Sequence, residues 1–143
     1  DVYKRQVFAV SAIIMCAAGP AQSQPETNES SACDAAQTQL ELNECSAKAL
    51  GVSDKKLNQL YRTVEGRLAG DSDARDLLVD AQRRWIAFRD AECAFRTSAV
   101  KGGSIEPMVR SLCLTSLTDA RITDLEALLS CEEGDTSCPV PPG

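Results

Sequence analysis

The 143-residue chain contains no histidine. That removes most general-base, Ser-His-Asp triad and zinc-site chemistry, because each depends on an imidazole. There is no Cys-x-x-Cys pair, so no dithiol redox site is written. There is no glycine-rich phosphate loop, and Gly102-Gly103 is an isolated pair that reads as a turn. Asp90 and Glu92 are the nearest thing to a catalytic carboxylate pair, but residues two apart on a helix do not face each other. They read as surface charge. No strand pattern and no internal repeat is visible. These absences argue against an enzyme and against any cofactor or metal.

Cysteine is what the chain does have, with seven residues. That number suits an oxidising compartment. The N-terminus agrees. Residues 7–18 are uncharged and mostly apolar, too short to span a bilayer as a helix. Ala21-Gln22-Ser23 follows as a small-x-small cleavage signal, so residues 1–23 are expected to be a secretory signal peptide. Cys16 would leave with it, and Met15 before it is wrong for a lipidated cysteine. Asp1-Val2-Tyr3-Lys4-Arg5-Gln6 corresponds to codons resembling a transposon end used in sequencing libraries. These six residues are expected to be adapter read-through. Six cysteines remain, an even number that can pair fully. The expected mature chain, with no integral membrane segment, is periplasmic or secreted.

Net charge is −6 over the whole chain. Without residues 1–23 it is 13 positive against 20 negative, or −7. Such a surface repels nucleic acid and anionic lipid and attracts a cationic partner.

Residues 24–32 form a polar linker. Thr38-Gln39-Leu40-Glu41 then reads as a capping box. Leu42, Cys45, Ala49, Val52, Leu57, Leu60 and Val64 recur at helical spacing and keep phase through Gly51, giving one helix over residues 38–69. Gly70-Asp71-Ser72-Asp73 is a turn ending in an N-cap. A second helix is expected over residues 74–98, with Leu78, Ala81, Trp85, Phe88 and Phe95 inward. Trp85 and Phe88 suggest a sugar-stacking platform, but at this spacing they read as core. Lys101-Gly102-Gly103-Ser104 turns the chain, and Pro107 suits the first turn of a third helix with Val109, Cys113, Leu117, Leu125 and Leu128 inward. Short turns between long helices predict an all-α, disulfide-stapled, antiparallel three-helix bundle. Residues 131–143 are expected to be an acidic tail closed on itself by Cys131 and Cys138.

Counting along antiparallel helices levels the cysteines. Cys45, Cys93 and Cys113 fall about 7–11 Å above one end, here called the base, at roughly 1.5 Å per residue. Cys33 lies just outside it. Four cysteines allow three pairings. Cys93 with Cys113 bridges the second turn and leaves Cys33 with Cys45, while cross-bundle pairs such as Cys45 with Cys93 stay open. The same count places Arg121 on the third apolar stripe, level with Asp54 and Gln82 and near Asn58. A partly buried guanidinium requires a carboxylate and other acceptors, so a polar network of Asp54, Asn58, Gln82 and Arg121 is expected, with Arg121 in contact with at least one of the other three. It is read as fixing helix register rather than as a ligand site. Arg89 is a second candidate ion-pair residue, with Glu41 or Glu92 as partner.

Several motifs occur in order along residues 33–128. They are Cys33, Thr38-Gln39-x-Glu41-Leu42-Asn43-Glu44-Cys45, Asp54-x-x-Leu57-Asn58-x-x-Tyr61 and Ala81-Gln82-x-x-Trp85-Ile86-x-Phe88-Arg89-Asp90-Ala91-Glu92-Cys93. Gly102-Gly103-Ser104, Cys113 and Thr118-x-x-Arg121-x-x-x-Leu125 follow. Together they resemble the LprI-type lysozyme-inhibitor domain family. The resemblance implies a secreted or periplasmic helical domain that inhibits a host or competitor lysozyme; a cationic lysozyme would suit the acidic surface. Cys131 and Cys138 depart from its pattern. Two segments suit contact with such a partner: the Gly102-Gly103-Ser104 turn, which allows close approach, and the acidic loop carrying Glu132, Glu133 and Asp135. The other reading is an envelope interaction module with no lysozyme role.

Overall fold

The structure is a computed structural model and describes residues 33–143. The expected signal peptide, Cys16 and the polar linker lie outside the described residues. Three α-helices account for most of the rest: α1 (Gln39–Arg67), α2 (Ser72–Arg96) and α3 (Glu106–Leu129). The expected all-α bundle is borne out.

Helix α1 starts where its capping box dictates. The Thr38 hydroxyl accepts from the Glu41 amide at 3.2 Å. Glu41 Oε2 accepts from the Thr38 amide at 2.9 Å and from the Gln37 amide at 2.8 Å. Three amide donors left unpaired at a helix start are thereby satisfied. The helix runs through Gly51 unbroken. Helix α2 begins two residues before the expected start, because the Asp71 carboxylate accepts from the Ala74 amide at 2.9 Å and Asp71 is the N-cap. A short 3-10 turn (Ser98–Val100) and Gly102, at φ +79°, bring the chain into α3. Only glycine takes that backbone conformation at no steric cost.

Cross-links between helices fix their directions. Asn43 meets the Ser104 carbonyl, Ser53 meets Asp119, and Arg67 meets the Leu129 carbonyl, so α1 and α3 climb together. Glu65 meets Arg75 and Asp54 meets Arg89, so α2 runs against α1. Helix α1 packs chiefly on α3, and α2 makes fewer close backbone approaches.

The apolar core lies in the half away from the base. Leu57, Val64, Leu68, Leu78, Ile122 and Leu125 bury together, and Val140 joins them at 3 % exposure. Each such side chain stabilises the fold by about 1.5–3 kcal/mol. The base half buries mostly small or polar groups, Ser46, Thr97 and Ser111, around Cys93. Disulfides hold that half instead, joining Cys33 to Cys45 and Cys93 to Cys113 with Cα separations of 5.5 and 5.7 Å. Cys131 joins Cys138 at the opposite end.

Two expectations need correction. On α2 the inward residues are Leu78, Gln82, Trp85, Arg89 and Cys93, while Ala81, Phe88 and Phe95 face solvent. The helix carries apolar residues on two faces, and the inward face includes polar groups that a hydrophobic count passes over. Val52 on α1 is likewise exposed. Beyond the Cys131–Cys138 bridge, Val140 plugs the upper core.

Candidate functional site

Three places carry the residues singled out by sequence: a polar layer at mid-height, the turn at the base and the loop at the top. The polar layer is built around Trp85. Arg89, from one turn further along α2, reaches Asp54 Oδ1 on α1 at 2.9 Å and Thr118 Oγ1 on α3 at 3.1 Å. Its Nε donates to Asp90 Oδ1 at 3.1 Å. Arg121 of α3 donates from Nε to Gln82 Oε1 at 3.2 Å. The guanidinium carbons of Arg89 and Arg121 lie 5.3 and 6.0 Å from the centre of the Trp85 ring. A cation near an indole ring is attracted by its π electrons.

Both arginines are largely enclosed, at 14 % and 17 % side-chain exposure. Asp54 is 40 % exposed, so the ion pair with Arg89 sits at the edge of the interior. No buried side-chain nitrogen or oxygen among the described residues lacks a partner. The layer ties α2 to both other helices. Of the three expected partners of Arg121, Gln82 is the one it meets, and the rest of the layer is arranged differently. Asp54 pairs with Arg89 rather than Arg121, and Glu41 and Glu92 pair elsewhere, in the α1 cap and with Arg96. Asn58 is exposed and stands outside the layer, on an open groove of about 430 Å³ shared with Tyr61, Gln82 and Ile86. Burial raises the Tyr61 hydroxyl pKa, with the Glu65 charge adding to it.

The base turn is exposed throughout Gly102, Gly103 and Ser104, yet it is firmly held. Asn43 Nδ2 donates to the Ser104 carbonyl at 3.0 Å, and the Gly102 amide donates to the Glu106 carboxylate. A Cβ on Gly103 would stand 3.1 Å from the Val100 carbonyl oxygen. The Cys93–Cys113 bridge joins the two helices flanking the turn.

The top loop places Glu132, Glu133 and Asp135 in solvent. Asp135 accepts from the Ser137 hydroxyl and the Ser137 amide, and these bonds hold its carboxyl below the usual carboxylate range. Gly134 at φ +86° completes the bend. The loop follows the C-terminus of α3 and the base turn precedes its N-terminus, so roughly 36 Å of helix separates them, at 1.5 Å per residue. One narrow cleft cannot receive both.

A family model described as lysozyme inhibitor LprI matches residues 30–125. The chain belongs to the LprI family. It is also 35 % identical over 136 residues to an uncharacterized protein of Rhizobium meliloti (strain 1021), an alignment covering 87 % of this chain and 95 % of that one. No solved structure matches. The LprI family is one of inhibitors rather than enzymes. In this LprI-family chain, six residues of the family-like motifs, Asp54, Gln82, Trp85, Arg89, Thr118 and Arg121, converge in the polar layer. Nothing in the spacing of Thr118 or Trp85 marked them as partners of Arg89. Among the described residues no helix is long and apolar enough to cross a membrane.

Proposed function

We propose that the protein is an exported inhibitor of lysozyme and that the Gly102-Gly103-Ser104 turn makes the inhibitory contact. The observation that carries this reading is the family match over residues 30–125, which includes the turn and stops before the loop at residues 131–138. An activity common to the family belongs in the matched span. The turn also has suitable physical properties. It is exposed, free of bulky side chains and held by Asn43, Glu106 and a disulfide, so little conformational entropy is lost on docking. The acidic top loop then serves at long range, steering a basic enzyme toward an acidic molecule. Three disulfides favour an oxidising, extracytoplasmic location.

The test is peptidoglycan hydrolysis by hen-type and goose-type lysozymes titrated with the oxidised protein at low and moderate salt. At least one enzyme should be slowed in proportion to added protein, and Ser104→Arg should weaken the effect by about tenfold or more, the loss of roughly 1.4 kcal/mol of contact. If neither enzyme is slowed at stoichiometric excess, the function is wrong. Full inhibition by Ser104→Arg moves the contact away from the turn.

A further inference from the structure

Helix α2 turns an apolar seam to solvent. Leu77, Ala81, Arg84, Phe88, Ala91 and Phe95 follow one another at spacings of four, three, four, three and four residues, the repeat of a coiled-coil seam. All are exposed, with Leu77 at 72 %, Phe88 at 56 % and Phe95 at 75 %. Two phenylalanines and a leucine on one helix face are more than isolated surface apolar groups.

The charges on this helix say what covers it. Asp80 pairs with Arg84 and Glu92 pairs with Arg96, each at 2.7 Å. These four charges sit at −8, −4, +4 and +8 residues from Phe88, with signs minus, plus, minus, plus. The pattern changes sign on reversal about Phe88. A second α2 laid antiparallel with Phe88 on the two-fold axis therefore brings Asp80 to Arg96, Arg84 to Glu92, Phe95 to Ala81 and Phe88 to its own copy. A parallel copy in register sets like charges together. These four charges cancel where the two helices overlap; Asp73, the other exposed charge on this face, mirrors onto residue 103, beyond the end of α2.

We propose that the protein forms a two-fold symmetric homodimer through antiparallel α2 helices centred on Phe88. Such an interface is isologous, with each patch meeting itself. A cationic partner has no comparable match to alternating charges of both signs. The proposal does not depend on lysozyme inhibition, and its readout is mass alone.

Sedimentation velocity of the oxidised protein, from micromolar to millimolar concentration, should show monomer passing to dimer. Phe88→Glu places two like charges at the axis and should abolish the dimer. The register is tested by two double variants. Asp80→Arg with Arg84→Glu, and Glu92→Arg with Arg96→Glu, each keep the pairs within their own helix but set like charges against like in a homodimer. Each alone should lose the dimer. Mixed together they are complementary at all four positions and should restore a species of twice the mass. A wild-type chain that stays monomeric to millimolar concentration overturns the proposal. So does a mixture of the two folded variants that does not dimerise, or a double variant that alone dimerises like wild type.

Discussion

At the scale of single residues, Arg89 carries more of the fold than any other charged group described. It joins α2 to Asp54 on α1 and Thr118 on α3 while lying beside Trp85. Arg121 holds one neutral amide at 3.2 Å, and its carboxylate neighbour Asp124 is 3.9 Å away. Arg89→Ala should thus cost about 2–3 kcal/mol, the range for hydrogen bonds to charged groups, moderated because Asp54 reaches water. Arg121→Ala should cost about 1–2 kcal/mol. Denaturant unfolding of the two variants checks the order, and a larger loss at Arg121 contradicts it. The level of Arg121 with Gln82 was readable by counting along helices. Its failure to meet Asp54 was not, because the count fixes height but not which of two arginines reaches across.

Glu41 offers a residue-scale test by pH. Hydrogen bonds from the Gln37 amide, then the Thr38 amide and hydroxyl, hold its pKa below the usual carboxylate value. A depressed folded pKa means the cap contributes fully above the unfolded value and is lost as pH falls through the folded one. The Gln37 and Thr38 amide resonances should titrate together, with a midpoint below the ordinary glutamate value. Glu41→Gln should remove that titration while keeping the cap. A midpoint at or above the ordinary value contradicts the box.

At the scale of elements, the bundle divides into an apolar top and a stapled base. Cys93–Cys113 closes the longest segment, with a sequence separation of 20, against 12 and 7 for the other two bridges. Loop-closure entropy then ranks it first, at about 3 kcal/mol. Replacing both cysteines by alanine should lower stability most of the three pairs by denaturant titration. An equal or larger loss on removing Cys131–Cys138 contradicts that ranking. Helix existence was legible throughout, since caps and period are local signals. The facing of α2 was not, because its solvent side is richer in aromatics than its inward side. Val140 was illegible for another reason: a lone valine between prolines has no period, and only the folded chain shows that it closes the core.

At the scale of the whole molecule, charge sets the approach and shape sets the contact. Binding to a basic lysozyme should weaken as salt rises, because long-range attraction is screened over about 10 Å at 0.1 M. Neutralising Glu132, Glu133 and Asp135 together should slow association several-fold and leave dissociation nearly unchanged. Stopped-flow association rates decide this, and an unchanged rate removes the top loop from the steering role. Export is tested separately by thiol titration of protein recovered from the cell envelope, which should find essentially no free thiol. Reactive cysteines there contradict the three-bridge framework.

The two poles of α3 make the site proposal open to one direct measurement. Amide hydrogen exchange of the oxidised protein should be compared with and without saturating lysozyme. Exchange should slow across residues 101–106, while the loop at residues 131–138 and the layer around Arg89 stay unchanged. Protection confined to the top loop, or no protection anywhere at saturation, contradicts a lysozyme inhibitor that acts through its base turn.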